Sequence, residues 1–195
     1  MCVRLGEESK DPLPSRPARE CAPKKPAADP LAAKQAQVQR DCIKAACLVS
    51  LLYDVAGRSE DAFHLSWERV TYSKGGGGHA RLVKGKTTAR TAVFSPRTEA
   101  LLREHGGPGA PAGPLFDFNS ANAMIKWLDR AVKRVRLPPG NKIEVARFQS
   151  HNLRASKLTW LSQQEGWSDA QIQHFSGHKD IKNLFRYIKV DADQT

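Results

Sequence analysis

Helical spacing of apolar residues first appears between Ala33 and Val55. Ala46, Cys47, Val49, Leu51, Leu52 and Val55 recur on that period, which predicts a helix whose second half is buried. A second helix is expected over Asp61–Glu68, carrying Phe63, Leu65 and Trp67. The period then shortens. Val70–Ser73, Ala80–Val83 and Thr91–Phe94 read as three short antiparallel strands, separated by the glycine run 75–78 and by a tight turn around Gly85–Ala89. Thr98–His105 reads as a helix and Gly106–Pro114 as a loop. Ser120–Arg136 is amphipathic, with Ala123, Ile125, Leu128, Ala131, Val132 and Val135 near one side, and Pro138-Pro139-Gly140 ends it. Helices are expected again over 151–165, 168–176 and 180–189, and Ser168 with Gln171 has the spacing of a capping box. The expected fold is mainly α (α+β): many helices and one small three-stranded antiparallel sheet.

Residues 1–34 depart from this pattern. They hold six of the twelve prolines and mix both charge signs without aliphatic clustering, the composition of a disordered tail. Residues 35–195 form the expected folded domain. The net charge of the chain is +11, and 35–195 contribute 24 basic against 15 acidic residues, so the positive surface belongs to the folded part. A nucleic acid is the partner that such a balance favours, ahead of an anionic membrane. No apolar run has the length of a membrane span, and Glu7, Glu8 and Asp11 occupy the place of a signal-peptide core. The four cysteines, at 2, 21, 42 and 47, include no Cys-x-x-Cys and read as reduced thiols of an intracellular protein, with no zinc site. His64, His79 and His105 read as surface residues, and Trp67, Trp127, Trp160 and Trp167 as packing anchors.

The chemistry gathers near the C-terminus. His151-Asn-Leu-Arg154, Gly177-His178 and Tyr187 place two histidines, an arginine and a tyrosine within 37 residues. His151 and Arg154, three apart, share a helix face suited to a phosphate. Upstream, Arg58 stands at a helix start with Asp61 three residues on, and Lys86 stands at the hairpin turn. A guanidinium grips phosphate oxygens through paired hydrogen bonds, and a lysine on a turn has the reach to deliver a proton. Each residue also has an ordinary reading: an exposed arginine, a turn lysine, an imidazole after a glycine helix end, a core tyrosine.

Taken in order, Arg58, Asp61, Lys86, His151, Arg154, His178 and Tyr187 resemble the active-site series of the tyrosine recombinases, or phage integrases, over residues 40–190. The stretch Leu51–Trp67 looks like that family's helix pair bearing its first arginine, Gly85-Lys86 like its hairpin lysine, and Tyr187 like its nucleophile. The resemblance implies a multihelical DNA breaking–rejoining catalytic domain that acts on double-stranded DNA without metal, nucleotide or other cofactor. It implies that Tyr187 attacks the scissile phosphorus to give a 3′-phosphotyrosyl link, and that Arg58, Arg154 and His178 hold the non-bridging oxygens. It also implies that Lys86 protonates the leaving 5′-oxygen, that His151 assists proton transfer at the tyrosine, and that Asp61 orients His151 or Arg58.

The resemblance has departures. Such proteins usually carry an N-terminal helical domain that closes a clamp on DNA, so a separate DNA-gripping domain or subunit is expected here. Eight residues follow Tyr187, fewer than the usual docking helix needs, which puts a tetrameric homo-oligomer on DNA in doubt. His174 and Ser176 stand where aliphatic residues are usual. Three rivals remain at this stage: a type IB topoisomerase, a non-catalytic DNA-binding remnant of a mobile element and, more distantly, a basic structural or ribosome-associated protein.

The Lys86 assignment is testable without structure. Lys86→Ala is expected to slow cleavage of ordinary DNA and to be rescued on a substrate with a bridging 5′-sulfur, because a thiolate leaves without a proton. Equal slowing on both substrates, in a cleavage time course, assigns Lys86 to binding instead.

Overall fold

The computed structural model describes residues 29–83, 89–109, 111–133, 149–164 and 166–188. The chain opens with the long helix α1 (Pro30–Asp54), followed by the single-turn α2 (Ser59–Phe63) and a 3-10 turn at Trp67–Arg69. Strands β1 (Val70–Tyr72), β2 (Gly78–Leu82) and β3 (Arg90–Phe94) then form one antiparallel sheet in sequence order. Helices α3 (Pro96–Gly106), α4 (Ala121–Lys133), α5 (Ser150–Ser162), α6 (Asp169–Ser176) and α7 (Ile181–Phe185) complete it. Among the described residues no helix is long and apolar enough to cross a membrane.

Local chemistry places the ends of these elements. Helix α1 begins at Pro30, three residues before the apolar period, because Asp29 accepts a hydrogen bond from the Leu31 amide and proline fits the first turn. Residues 30–34, grouped with the tail on proline content, are therefore helical. The helix expected over 61–68 starts earlier and stops sooner. Asp61 caps the Arg58 amide at 2.9 Å, and the chain leaves the helix at His64. The expected helix over 180–189 is shorter among the described residues, at 181–185. Gly78 belongs to β2, opposite Phe94. Gly77 before it has φ +72°, and a side chain there would collide with the Phe94 carbonyl, so glycine is required. The capping box at Ser168 and Gln171 is present.

Two cores result. The larger packs the C-terminal half of α1 (Cys47, Leu48, Leu51, Leu52) against the inner sheet face (Ala80, Leu82, Ala92, Phe94), α3 (Leu102) and α4 (Met124, Leu128). The sheet's burial alternates along β2, as a one-sided sheet requires. The inner stripe of α4 runs through Ala121, Met124 and Leu128; Ala123 is exposed, and the expected contribution of Val135 lies outside the described residues. The smaller core joins Ala56 to Leu158 and Leu161 of α5, Ile172 of α6 and Leu184.

Two aromatic expectations are corrected. Trp160 and Trp167 remain 45% and 38% exposed: the Lys157 ammonium lies 4.3 Å from the Trp160 ring, and Trp167 meets Phe175 edge-on at 5.7 Å. His105 is half-buried rather than a surface residue. It stacks on Phe116 at 5.4 Å with Nε2 at 3.0 Å from the Leu115 carbonyl, and burial lowers its pKa.

A carboxylate fastens α1 to the sheet's exit. Asp54 Oδ2 accepts from the Ser95 amide at 2.8 Å, the Ser95 hydroxyl at 2.6 Å and the Thr98 hydroxyl at 2.6 Å. Removing the carboxylate leaves the Ser95 amide without its acceptor and the two hydroxyls with only each other and Ser50 Oγ, which lies 2.7 Å from Thr98 Oγ1. Asp54→Ala is expected to lower stability by about 3 kcal/mol in urea unfolding; a loss under about 1 kcal/mol would show that water replaces the carboxylate.

Candidate active site

The turn leaving α1 organises the site. Ala56 has φ +43°, a left-handed conformation that a non-glycine residue adopts at a cost of about 1–2 kcal/mol. Its carbonyl points to two buried guanidinium groups. Arg154 Nη1 donates a short hydrogen bond to it, and Arg90 Nη2 donates at 3.4 Å while also reaching the Val55 carbonyl at 2.9 Å. Both arginines also reach the C-terminal end of α6: Arg90 Nη1 donates to the Phe175 carbonyl at 2.6 Å, and Arg154 Nη2 to the Ser176 carbonyl at 2.7 Å. The two guanidinium groups thus bind the α1 turn to the end of α6.

That end is itself defined by glycine. Gly177 takes φ 70° and ψ 30°, and the Gly177 and His178 amides both donate to the Gln173 carbonyl, at 2.9 and 3.2 Å. The reversal turns His178 inward, where it is 8% exposed. Its Nδ1 lies 2.7 Å from the Ser176 hydroxyl and its Nε2 lies 3.2 Å from Arg154 Nη2. In the free protein Nε2 therefore meets Arg154 instead of the open cleft. Gln173 Nε2 holds the His178 carbonyl at 3.1 Å.

Tyr187 follows α7. Its ring centroid is 4.8 Å from that of His151 and 5.0 Å from that of His178, and the Arg154 guanidinium carbon is 5.8 Å from the ring. Its carbonyl accepts from the Thr159 hydroxyl at 2.8 Å, which pins the segment to α5. A cleft of about 280 Å³ opens beside the ring, lined by Arg58, Gly177, His178, Lys179, Asn183, Arg186 and Tyr187. Arg58, His151, Arg154, His178 and Tyr187, far apart in sequence, meet here. Asp61 does not reach His151. It caps the Arg58 amide and lies 3.8 Å from Arg90 Nη2. Lys86 lies outside the described residues, between strands that pair from Leu82 opposite Arg90.

The electrostatics are those of a cation cluster awaiting an anion. Burial, then the Arg58 and Arg90 charges, push the Arg154 pKa down to about 9, while Asp61 and Tyr187 oppose the shift. Burial, then Arg154, Arg58, Arg90 and His151, push His178 down to about 4, so its ring is neutral at physiological pH. Arg58 Nη1 and Arg154 Nε are buried with no hydrogen-bond partner among the described residues. A buried cationic donor without an acceptor is costly, and an oxyanion relieves it. Among the described residues no group of His, Cys, Asp or Glu is arranged to hold a metal ion.

Arg90 escaped the sequence reading, and Ser176 figured in it only as a departure from an aliphatic position. Arg90 looks like any strand arginine, and only its alternation with buried Ala92 and Phe94 hinted that it faces inward. Lys179, Asn183 and Arg186, which line the cleft, carry no sequence signal beyond their nearness to His178 and Tyr187. Replacing Arg90 with methionine leaves the Val55 and Phe175 carbonyls without their donor and Asp61 without its charge partner. Arg90→Met is expected to cost about 3 kcal/mol of stability in chemical unfolding. Wild-type stability of the variant would show that these carbonyls find other donors.

The sequence matches the phage integrase family over residues 31–194. No curated protein matches it by sequence. Solved structures that share its fold with a TM-score of 0.57 include two recombinases. One is the XerA recombinase, at 17% identity, covering 81% of this chain and 60% of that one. The other is the XerH site-specific recombinase bound to palindromic difH substrate in a post-cleavage complex, at 18% identity, covering 80% of this chain and 48% of that one. The chain thus spans about half to three-fifths of these recombinases. Over nearly its whole length, from α1 to beyond Tyr187, this chain belongs to the phage integrase family.

Proposed function

We propose that residues 35–195 are the catalytic domain of a site-specific recombinase that cuts and rejoins double-stranded DNA through Tyr187. One observation carries the reading: the Tyr187 ring packs against both His151 and His178 beside Arg58 and Arg154, two cations that each have a buried donor nitrogen without a partner among the described residues. A scissile phosphate seated there supplies the missing acceptors.

The Tyr187 oxygen attacks phosphorus and its proton passes to His151. The bond to the 5′-oxygen breaks, and that oxygen takes a proton from Lys86. A 3′-phosphotyrosyl ester and a free 5′-hydroxyl result. Attack by a 5′-hydroxyl reverses the step with acid and base exchanged, so neither metal nor nucleotide is required. Arg58 and Arg154 neutralise charge on the non-bridging oxygens as it grows. His178 steadies the Arg154 guanidinium. Asp61 holds the Arg58 backbone and faces Arg90. The basic surface of the domain supplies phosphate-backbone attraction, with sequence discrimination left to base contacts or to a further DNA-gripping module. A double-stranded DNA substrate supports an intracellular, DNA-associated location.

Tyr187→Phe is expected to abolish covalent capture of a nicked or bridging-phosphorothioate half-site, while changing DNA affinity less than about twofold, since one hydroxyl is lost and the ring stays. An SDS-resistant adduct formed by the Phe variant would exclude Tyr187 as nucleophile. Relaxation of plasmids that lack a defined site would favour a topoisomerase, and capture by no form of the chain a non-catalytic DNA-binding protein.

A further inference from the structure

Ser176 is completely buried at the last position of α6 and its hydroxyl has two neighbours: the Gln173 carbonyl at 3.1 Å and His178 Nδ1 at 2.7 Å. At the other side of the imidazole, Nε2 faces Arg154 Nη2 at 3.2 Å. These contacts decide the ring's proton. A guanidinium nitrogen only donates, so Nε2 must accept and carries no hydrogen. The neutral ring therefore holds its proton on Nδ1, which donates to the Ser176 oxygen. The hydroxyl, having accepted, donates to the Gln173 carbonyl. The direction of every hydrogen in this relay follows from the heavy-atom network.

We infer that Ser176 is a positioning residue of the active site, whose hydroxyl fixes both the orientation of the His178 ring and its Nδ1-protonated tautomer, so that Nε2 presents a lone pair to Arg154. The inference rests on the assignment of Arg154 and His178 to the phosphate site. An alanine or a leucine at 176 offers Nδ1 no acceptor. A buried Nδ1–H would then be unpaired, or the proton would move to Nε2 and confront Arg154 donor against donor. Either way Arg154, whose Nη2 also donates to the Ser176 carbonyl, loses part of the frame that holds it. The reach of Ser176 is local. Gly177 turns the chain, Gln173 holds the His178 carbonyl, and Arg90 holds the Phe175 carbonyl, so the backbone at 175–178 is secured without the hydroxyl. Beyond its own helix, where it donates to the Gln173 carbonyl, the serine hydroxyl is left with the ring alone.

The test compares the full 195-residue chain with its Ser176→Ala and Ser176→Thr variants. Nitrogen-15 NMR of the imidazole reads the tautomer without DNA. The expected wild-type spectrum shows His178 with protonated Nδ1 and unprotonated Nε2. Ser176→Ala loses that pattern, and Ser176→Thr, which keeps the hydroxyl, restores it. Loss of one such hydrogen bond slows covalent capture of a half-site about tenfold in Ser176→Ala, with half-site affinity kept and the rate recovered in Ser176→Thr. A wild-type His178 protonated on Nε2 overturns the inference, whether or not the alanine variant folds. So does an alanine variant with the wild-type tautomer and rate. If the wild-type chain captures no half-site, the recombinase reading fails by itself, and the ring spectra still decide whether Ser176 sets the tautomer.

Discussion

Two buried guanidinium groups clamp two chain reversals together, and the site depends on that clamp. Arg90 comes from the sheet and Arg154 from α5, and both converge on the carbonyls of the Val55–Ala56 turn and of Phe175–Ser176. Charges this deep need hydrogen-bond acceptors, and backbone carbonyls in irregular turns have free lone pairs to offer. The exchange runs both ways. The arginines hold Ala56 in a left-handed conformation it would otherwise avoid, and that conformation aims the carbonyl at them. Arg58 lies two residues past Ala56 and His178 two past Ser176, so fixing the reversals fixes the cleft.

The clamp leaves electrostatic work unfinished. Beyond the effect of burial, the Arg58 charge depresses Arg90, Arg58 and Arg90 depress Arg154, and all three depress His178, while Asp61 is the carboxylate acting against the shifts of Arg90 and Arg154. Carbonyl dipoles solvate such a cluster but do not neutralise it. A phosphodiester does both, and it makes its strongest demand when charge builds on its oxygens. A neutral His178 suits this state. A neutral ring adds no further positive charge to the cluster.

Reading by periodicity worked where one element's own chemistry decides. The three strands, the buried half of α1, the α6 capping box and the glycine reversal at 177 were all legible, because local spacing and φ preferences determine them. The ordered motifs from Arg58 to Tyr187 were legible as a family resemblance, although each was ordinary alone. Errors clustered where contacts from elsewhere intervene. His105 looked like a surface residue until Phe116 stacked on it. Asp61, expected to orient His151 or Arg58, takes the second of these roles, and only the fold shows that it also faces Arg90.

The sequence by itself determined the inventory: a basic chain with helices, one small sheet, and a tyrosine, imidazoles and arginines in a recognisable order. Tertiary structure alone decided the partnerships. Alternation with Ala92 and Phe94 hints at which way Arg90 faces but not at what it binds, because its acceptors are carbonyls 34 to 85 residues away that become available only when the turns meet. Ser176 looked like a weak point in the packing of α6, because a hydroxyl's role depends on what lies within 3 Å of it. Side-chain identity is written in the chain, whereas a backbone carbonyl becomes a ligand only through the conformation that frees it and the packing that brings a donor to it.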